Sequence, residues 1–192
     1  MPRYASAAWR AYRPGSPVSV RAPAAAVAER CRILGLDPGS LRTGYGVIDC
    51  VAGREVHVAS GCIRVQGASL AVRLRQIFDT LHALAAEHRP DEVAIERVFM
   101  HKNADSALKL GQARGAALCA ASSGAITVHE YAPRAIKLAV TGHGGAEKEQ
   151  VARMVSMLLA LSRRPSADEA DALAVALCHA QSRRMLAVVS AQ

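Results

Sequence analysis

Two carboxylates end apolar segments of the sequence, at positions where they could bind a divalent cation. Asp37 closes the run 32–37 (RILGLD), and Glu96 closes the run 92–96 (EVAIE). Charged side chains are rarely buried without partners, so packing does not explain an acid that ends an apolar strand. A solvent-facing strand end would explain either acid alone, but it explains the pair of them less well.

Asp168 and Asp171 form a second acidic pair, in the segment 165–179 (PSADEADALAVALCH). Ser166 followed by Glu169 matches a helix capping box, so the two aspartates are expected one turn apart on one face of a helix. Acids in a first helical turn are also favoured by the positive end of the helix dipole. That effect accounts for Asp168 but less well for Asp171, which lies a turn further along the helix beside a like charge.

Four carboxylates in one place repel one another unless a cation lies between them. At ~5 Å and an effective dielectric constant of about 20, each pair repels by roughly 3 kcal/mol. Such a cluster must take up protons or bind metal, and oxygen ligands favour Mg²⁺ or Mn²⁺ over zinc. Two such ions about 4 Å apart can activate water and stabilise the leaving oxygen of a phosphoryl displacement. The acids therefore predict metal-dependent phosphoryl-transfer chemistry.

The acids depend on the elements that hold them in place. The spacing of apolar and turn-forming residues predicts five strands, at 32–37, 44–50, 55–65, 92–96 and 125–130. It also predicts four helices, at 69–87, 103–122, 147–161 and 167–180. Three strands followed by alternating helices and strands indicate an α/β fold, in which a mixed sheet carries helices on both faces. If the first helix returns the chain parallel to the first strand, Asp37 and Glu96 leave the sheet at the same edge.

Composition and charge describe a folded protein that favours polyanionic partners. Hydrophobic residues make up 51% of the 192 residues, and no apolar stretch has the length of a membrane span. The formal net charge is +8, and residues 1–30 contribute half of it, with five arginines against Glu29 alone. The remaining half fits a nucleic-acid enzyme and a merely basic enzyme equally well. Five cysteines without a C-x-x-C pair indicate free thiols in a reducing compartment, not a disulfide scaffold or a zinc site.

Residues 1–30 are rich in Ala, Pro, Ser and Arg and lack periodicity, so we predict a disordered leader. Two other interpretations stay open, namely a transit peptide and a wrongly assigned start of translation. The predicted division of the chain is a leader at 1–30, one folded domain at 31–184 and a C-terminal tail at 185–192.

Four blocks of the sequence resemble one known family. Residues 33–49 (ILGLDPGSLRTGYGVID) resemble the opening of RuvC-type Holliday-junction resolvases, and residues 93–115 (VAIERVFMHKNADSALKLGQARG) resemble the most distinctive block of that family. GAEK at 145–148 and ADEADALAVA at 167–176 continue the likeness in the same order. The first block alone is weakly specific, because a similar turn opens actin-like ATPases. The second block together with the D-x-x-D helix is highly specific.

The resemblance implies that 31–184 is an RNase H-like nuclease domain with a mixed five-stranded sheet, acting on four-way DNA junctions in recombination and repair. It implies that two Mg²⁺ ions, for which Mn²⁺ can substitute, are bound by Asp37, Glu96, Asp168 and Asp171. Paired nicks would leave 5′-phosphate and 3′-hydroxyl ends. The resemblance also implies a symmetric homodimer that works with a RuvA–RuvB branch-migration complex, in the bacterial cytoplasm at the nucleoid.

Five further residues are candidate DNA contacts: Phe99, Lys102, Arg114, Lys137 and Lys148. An exposed Phe99 ring could stack on a base unpaired at the junction, a contact that contributes ~1–3 kcal/mol. A core position under its loop is the alternative. Lys137 and Lys148 match family positions tied to substrate DNA, where a lysine could hold the scissile phosphate. The alternative is that both are ordinary solvated lysines.

The predicted helix 103–122 carries small residues four positions apart, at Ala107, Gly111 and Gly115. They permit close approach either of the sheet or of a second subunit. His143 lies in the glycine-flanked loop TGHGG, where it is a candidate proton-transfer aid or an ordinary exposed histidine.

Three other polar or sulfur-containing residues are given no catalytic role. His179 shares the predicted helix with the two aspartates but lies roughly 12 Å beyond Asp171. Cys62 and Cys119 are predicted to be small core residues.

Three alternative functions stay open. An actin-like kinase or ATPase would explain the Gly-Asp-Gly turn at 35–39, but it needs a duplicated second domain, and no G-x-x-x-x-G-K-[ST] loop occurs. A nuclease of the same fold could act on structured RNA, although the 93–115 block argues against it. A non-catalytic junction-binding module would not need four intact acids.

Overall fold

A computed structural model of the chain describes residues 30–98, 103–122 and 126–190. Five strands and five helices lie within these ranges. In chain order they are β1 (Arg30–Asp37), β2 (Arg42–Val51), β3 (Arg54–Arg64), α1 (Leu70–His88), β4 (Glu92–Glu96), α2 (Ala104–Ala121), β5 (Thr127–Tyr131), α3 (Pro133–Thr141), α4 (Lys148–Leu158) and α5 (Ala167–Ser190).

The strands form one mixed sheet in the order β3-β2-β1-β4-β5. Strands β1, β2 and β3 are antiparallel neighbours, whereas β4 lies parallel to β1 and β5 lies parallel to β4. Helix α1 provides the crossover that makes β1 and β4 parallel. The predicted α/β fold, a mixed five-stranded sheet with helices on both faces, is confirmed.

Side chains alternate along each strand, so the sheet has two different faces. On one face, Ile33 and Ala94 pack with α3, α4 and α5 in a buried apolar cluster. On the other face, Leu34, Leu36 and Ile95 pack with α1 and α2. The position of a side chain along β1, β4 or β5 therefore determines whether it points towards α3, α4 and α5 or towards α1 and α2.

Two glycines let α5 lie directly against the sheet. A Cβ atom on Gly35 of β1 would come within 2.3 Å of the carbonyl oxygen of Ala172. A Cβ atom on Gly44 of β2 would come within 1.9 Å of the carbonyl oxygen of Asp168. The missing side chains therefore set the distance between the sheet and the first turns of α5.

The sequence-based prediction missed helix α3. Its signals are present, because Pro133 occupies the first turn, Ile136 and Val140 are buried one turn apart, and Gly142 ends the helix with a φ of 73°. The helix has only nine residues, which are too few for a strong helical period in the sequence.

Two other expectations differ from the structure or lie beyond it. Cys119, predicted in the core, is exposed, because the buried side of α2 is formed by Ala113, Ala117 and Ala120. Helix α5 extends to Ser190, so most of the segment predicted as a tail is helical. The predicted leader lies outside the described residues except for Arg30, which begins β1. None of the described helices combines the length and the apolarity that a membrane crossing requires.

We expect Gly44→Ala to lower the free energy of unfolding by about 3 kcal/mol, because the new Cβ atom collides with the backbone of α5. Gly53→Ala is the matched control. Gly53 lies in the β2–β3 turn with a φ of 77°, and a Cβ atom there would meet no described atom within 4 Å. Only its left-handed backbone opposes that change, at about 1 kcal/mol. Chemical denaturation measures both losses, and equal losses would contradict the tight contact at Gly44.

Candidate active site

Asp37 and Glu96 lie side by side at one edge of the sheet. Each is the last residue of its strand, and the parallel register of β1 and β4 places Leu36 opposite Ile95, one position earlier. Leu36 and Ile95 pack on the α1–α2 face. The next residue of each strand therefore points to the opposite face, where α5 lies. The predicted placement of both acids at the carboxyl edge of neighbouring strands is confirmed.

The first turns of α5 bring Asp168 and Asp171 to the same edge. Gly44 of β2 lies beneath Asp168, whose carbonyl oxygen takes the space that a Cβ atom would fill. The two aspartates are three residues apart in the helix, so their side chains share one face. The close packing of α5 on the sheet thus places Asp168 and Asp171, which are near the end of the sequence, beside the strand ends that carry Asp37 and Glu96.

The carboxylates share one electrostatic environment. Burial and three neighbouring carboxylates together raise the pKa of Asp37 to about 7. Burial is the largest cause, and the carboxylates are those of Glu96, Asp171 and Asp168. Burial also raises the pKa of Glu96, and the negative charge of Asp171 is the next largest cause. A carboxyl group whose ionisation is opposed both by burial and by like charges is stabilised by a proton or a cation.

The four acids interact with one another but do not converge on a single point. Of the described residues, no three of these carboxylates bring one oxygen each within 4.8 Å of one another. All the donor atoms are carboxylate oxygens, the type that Mg²⁺ and Mn²⁺ prefer. The donor set therefore fits divalent cations of that class.

Two lysines border the acids. The Nζ atom of Lys148, the first residue of α4, donates a hydrogen bond to Oδ2 of Asp171 at 2.8 Å. That hydrogen bond raises the pKa of Lys148, whose positive charge lowers the pKa of Asp37. Lys137 of α3 lines a cavity of about 80 Å³ together with Glu96 and Asp171. Both lysines therefore lie beside the carboxylates.

A model of the family described as crossover junction endodeoxyribonuclease RuvC matches residues 33–179 of the chain. The chain belongs to this RuvC family. The RuvC of Shewanella piezotolerans is 56% identical over 157 residues, which cover 82% of this chain and 91% of the relative. The RuvC of Aeromonas hydrophila is 56% identical over 154 residues, which cover 80% and 89%.

Solved structures agree with the family assignment. The structure of Thermus thermophilus RuvC in complex with a Holliday junction substrate has a TM-score of 0.76 and 34% identity, and the match covers 82% of this chain and 97% of that one. The yeast mitochondrial Holliday junction resolvase Ydc2 has a TM-score of 0.58 at 9% identity, covering 82% and 85%, and bears on the fold alone. The implied RNase H-like fold is confirmed, and the chain is a RuvC-type endodeoxyribonuclease, not an actin-like kinase.

A buried glutamate of this RuvC chain holds the start of α5 in place. Glu169 is only 3% exposed, and it accepts hydrogen bonds from Ser60 Oγ at 2.6 Å and from the backbone N–H of Ser166 at 3.1 Å. Arg163 donates two more, at 2.6 and 2.9 Å. Burial opposes the ionisation of Glu169, but these hydrogen bonds lower its pKa overall. The bond to Ser166 belongs to the predicted capping box, whereas the bonds to Ser60 and Arg163 were not predicted.

Two contacts of Asp168 were also missed by sequence reasoning. Cys62 Sγ lies 3.3 Å from Asp168 Oδ2, and Arg42 Nη1 lies 3.9 Å from the same oxygen. Gly44 is paired with Cys62 across β2 and β3, so the thiol lies on the α5 face of the sheet. Only the strand register reveals this contact, since 106 residues separate Cys62 from Asp168. Cys62 is thus half-buried beside the acids.

Four other predicted site residues are Arg114, His143, Phe99 and Lys102. Arg114 of α2 forms an ion pair with Glu130 of β5 at 2.6 Å, on the face of the sheet that carries α2. His143 is exposed in the loop between α3 and α4. Two predicted DNA contacts lie outside the described residues: Phe99 and Lys102.

We expect Asp37→Asn to stabilise the metal-free protein by an amount that depends on pH. An aspartate in an unfolded chain has a pKa of about 3.9, whereas the pKa of Asp37 in the folded protein is about 7. Because the folded-state value is the higher one, Asp37 lowers the stability of the wild type as the pH rises from about 4 to about 7, by on the order of 4 kcal/mol in total.

Chemical denaturation in chelator, between pH of about 4 and 8, measures this difference. The free energy of unfolding of D37N should exceed that of the wild type by a small amount at the acidic end of this range and by the largest amount at the alkaline end. Asp79→Asn is the matched control, since Asp79 is an exposed aspartate of α1. A D37N effect that does not change with pH would contradict the electrostatic description of the site.

Proposed function

We propose that this chain resolves four-way DNA junctions by paired nicks, with two Mg²⁺ ions bound by Asp37, Glu96, Asp168 and Asp171. Mn²⁺ can substitute for Mg²⁺ in this proposal. The observation that carries it is the meeting of four carboxylates at one sheet edge, two of them with a raised pKa. The Thermus thermophilus relative was solved with a Holliday junction substrate, which supports the same class of substrate here.

In the proposed reaction a water oxygen attacks the phosphorus atom while the bond to the 3′ oxygen breaks. The products are a 5′-phosphate and a 3′-hydroxyl, and the 3′ oxygen takes up a proton as it leaves. Two bound Mg²⁺ ions would supply an activated water and charge stabilisation at the leaving oxygen. The chain's own part is to hold four ionised carboxylates in a pocket that is partly shielded from water.

The two lysines beside the acids are proposed to bind the scissile phosphate. Lys148 is paired with Asp171, yet its side chain is 70% exposed, so a phosphate oxygen can reach it. With Asp171 holding a cation, the ammonium group of Lys148 would be free to pair with the DNA backbone. Lys137 lines the cavity that Glu96, Lys148 and Asp171 also line. The stacking of Phe99 and the backbone contacts of Lys102 and Arg114 stay predictions.

A homodimer is proposed through helix α2. Within the described part of the chain, a Cβ atom on Gly111 or Gly115 would meet nothing within 4 Å, so these glycines do not pack on the sheet. Leu108 on the same helix is 67% exposed. A helix that turns small residues outwards permits close approach of a second helix, which supports the second-subunit interpretation. Two active sites in one dimer would produce the two nicks that resolution requires.

The proposed cellular setting follows from the family. The relatives named above as RuvC come from bacteria, and we propose that this chain works on nucleoid DNA in a bacterial cytoplasm. Cooperation with a RuvA–RuvB branch-migration complex belongs to the same proposal.

The direct test is incubation of the protein with a synthetic four-way junction, with Mg²⁺ or with chelator, and mapping of the nicks on all strands. We expect D37N, E96Q, D168N and D171N each to lower the cutting rate by on the order of 10³-fold or more. Junction affinity should stay nearly unchanged, because phosphate contacts dominate it. Glu149→Gln is the matched control, an exposed acid in the first turn of α4.

The substrates of that assay should include a linear duplex and a folded RNA. Loss of junction binding in all four amide variants at moderate salt would show that the acids are structural and would overturn the proposed ligand set. Cutting of folded RNA in preference to the junction would overturn the proposed substrate.

For the dimer, we expect the wild type to have twice the mass of one chain in light scattering. Leucine at positions 111 and 115 fills the space between two closely packed helices, so the double variant G111L/G115L should be shifted towards the monomer. Ala83→Leu, on the exposed side of α1, is the matched control and should leave the mass unchanged. A monomeric wild type, or a double variant that stays fully dimeric, would contradict the proposed interface.

A further inference from the structure

A second group of potential metal ligands lies on the α5 face of the sheet, at the end opposite to the acids. Its members are Glu92, His129 and His179, and one ligand atom of each lies within 4.8 Å of the others. Of the described residues, these three form the one group of histidine, cysteine and acidic side chains that is this compact. No catalytic role was predicted for His179 from the sequence.

The fold explains why these three residues meet. Glu92 is the first residue of β4 and points to the same face as Glu96 at the other end of that strand. His129 of β5 lies opposite Ala94, whose side chain packs on the α5 face. His179 is eight residues after Asp171 on α5, roughly 12 Å along the helix axis. The group is therefore separate from the four acids, although it shares β4 and α5 with them.

We propose that Glu92, His129 and His179 form a binding site for a divalent transition-metal cation of the zinc class. Two imidazoles and one carboxylate are a ligand set that favours Zn²⁺, Co²⁺ or Ni²⁺ over Mg²⁺. Three protein ligands leave a fourth position of a tetrahedral ion for water. The His129 side chain is 38% exposed, so a cation can reach the group from solvent.

The position of Tyr131 supports a metal ligand at His179. His179 is 1% exposed, its Nε2 atom is hydrogen-bonded to Glu92, and its Nδ1 atom lies 2.7 Å from the hydroxyl of Tyr131. Metal-bound histidines usually make such an outer hydrogen bond through the second ring nitrogen. In the metal-bound form Nε2 would offer its lone pair to the cation, and the single proton of the neutral ring would lie on Nδ1, which would donate a hydrogen bond to Tyr131 Oη.

Arg183 is the group that opposes the cation. Its Nε atom lies 3.2 Å from Glu92 Oε2, the oxygen that also faces both histidines. A cation at this position gains less from the Glu92 carboxylate, because that negative charge is already shared with the guanidinium group. Removing the arginine should tighten cation binding, whereas a purely structural hydrogen-bond network would only be weakened.

The test is a Co²⁺ titration of the full chain in the D37N/D171N background, which disables the carboxylate site. Visible absorption reports nitrogen ligation of Co²⁺, and calorimetry gives the stoichiometry. We expect one Co²⁺ per chain. Glu92→Gln and His129→Gln should each weaken binding by at least about tenfold, since even an outer-shell loss commonly costs that much.

Two further variants complete the test. Arg183→Gln should bind Co²⁺ more tightly, and His143→Gln, an exposed loop histidine, is the matched control that should leave binding unchanged. Thermal unfolding of each variant without metal confirms that it folds, and His179 is left intact because it is buried. Absence of Co²⁺ binding in the D37N/D171N protein, or binding that E92Q and H129Q leave unchanged, would overturn the proposal. Neither result bears on the nuclease site, which is tested by junction cleavage.

Discussion

Backbone contact between α5 and two glycines of the sheet determines where the four acids of the proposed site lie. Gly35 and Gly44 have no side chains to hold the helix away, so the carbonyl oxygen of Asp168 fills the space beside β2. The contact brings the acids of α5 towards Asp37, in a place where burial and like charges both oppose ionisation. The resulting repulsion destabilises the metal-free protein, and a divalent cation bound by these acids would relieve it. The distance between α5 and the sheet therefore links the stability of the fold to the proposed cation binding.

Helix α5 carries two groups of polar side chains at different positions along its length, both on the side that faces the sheet. At its start, Asp168 and Asp171 meet the carboxyl ends of the parallel strands. About two turns later, His179 meets the opposite end of β4 and the middle of β5. Between the two groups the helix is apolar and buried, as the sequence ALAVALC from 172 to 178 requires. Glu169 fixes the rotation of the helix at its start through its bonds to β3 and to the segment before α5.

The sheet and the acids could be predicted because their signals are local. Strand ends at Asp37 and Glu96 and the helical spacing of the two aspartates are visible in short windows of sequence. The short helix α3 was missed because nine residues carry little periodicity. The contacts made by Cys62 and His179 depend on strand register and on how α5 crosses the sheet, so no sequence window contains them. Cys119 was placed wrongly because a cysteine's apolar character does not indicate which side of α2 it occupies.

Asp37, Glu96, Asp168 and Asp171 are proposed to bind divalent cations together. Crystals of the full chain soaked in Mn²⁺ and measured at the manganese absorption edge would test this, because anomalous scattering locates each ion without reference to activity. We expect manganese between the ends of β1 and β4 and the first turns of α5, with carboxylate oxygens of all four acids as ligands. Anomalous density that avoids this edge of the sheet, with the four side chains turned apart and hydrated, would contradict the claim.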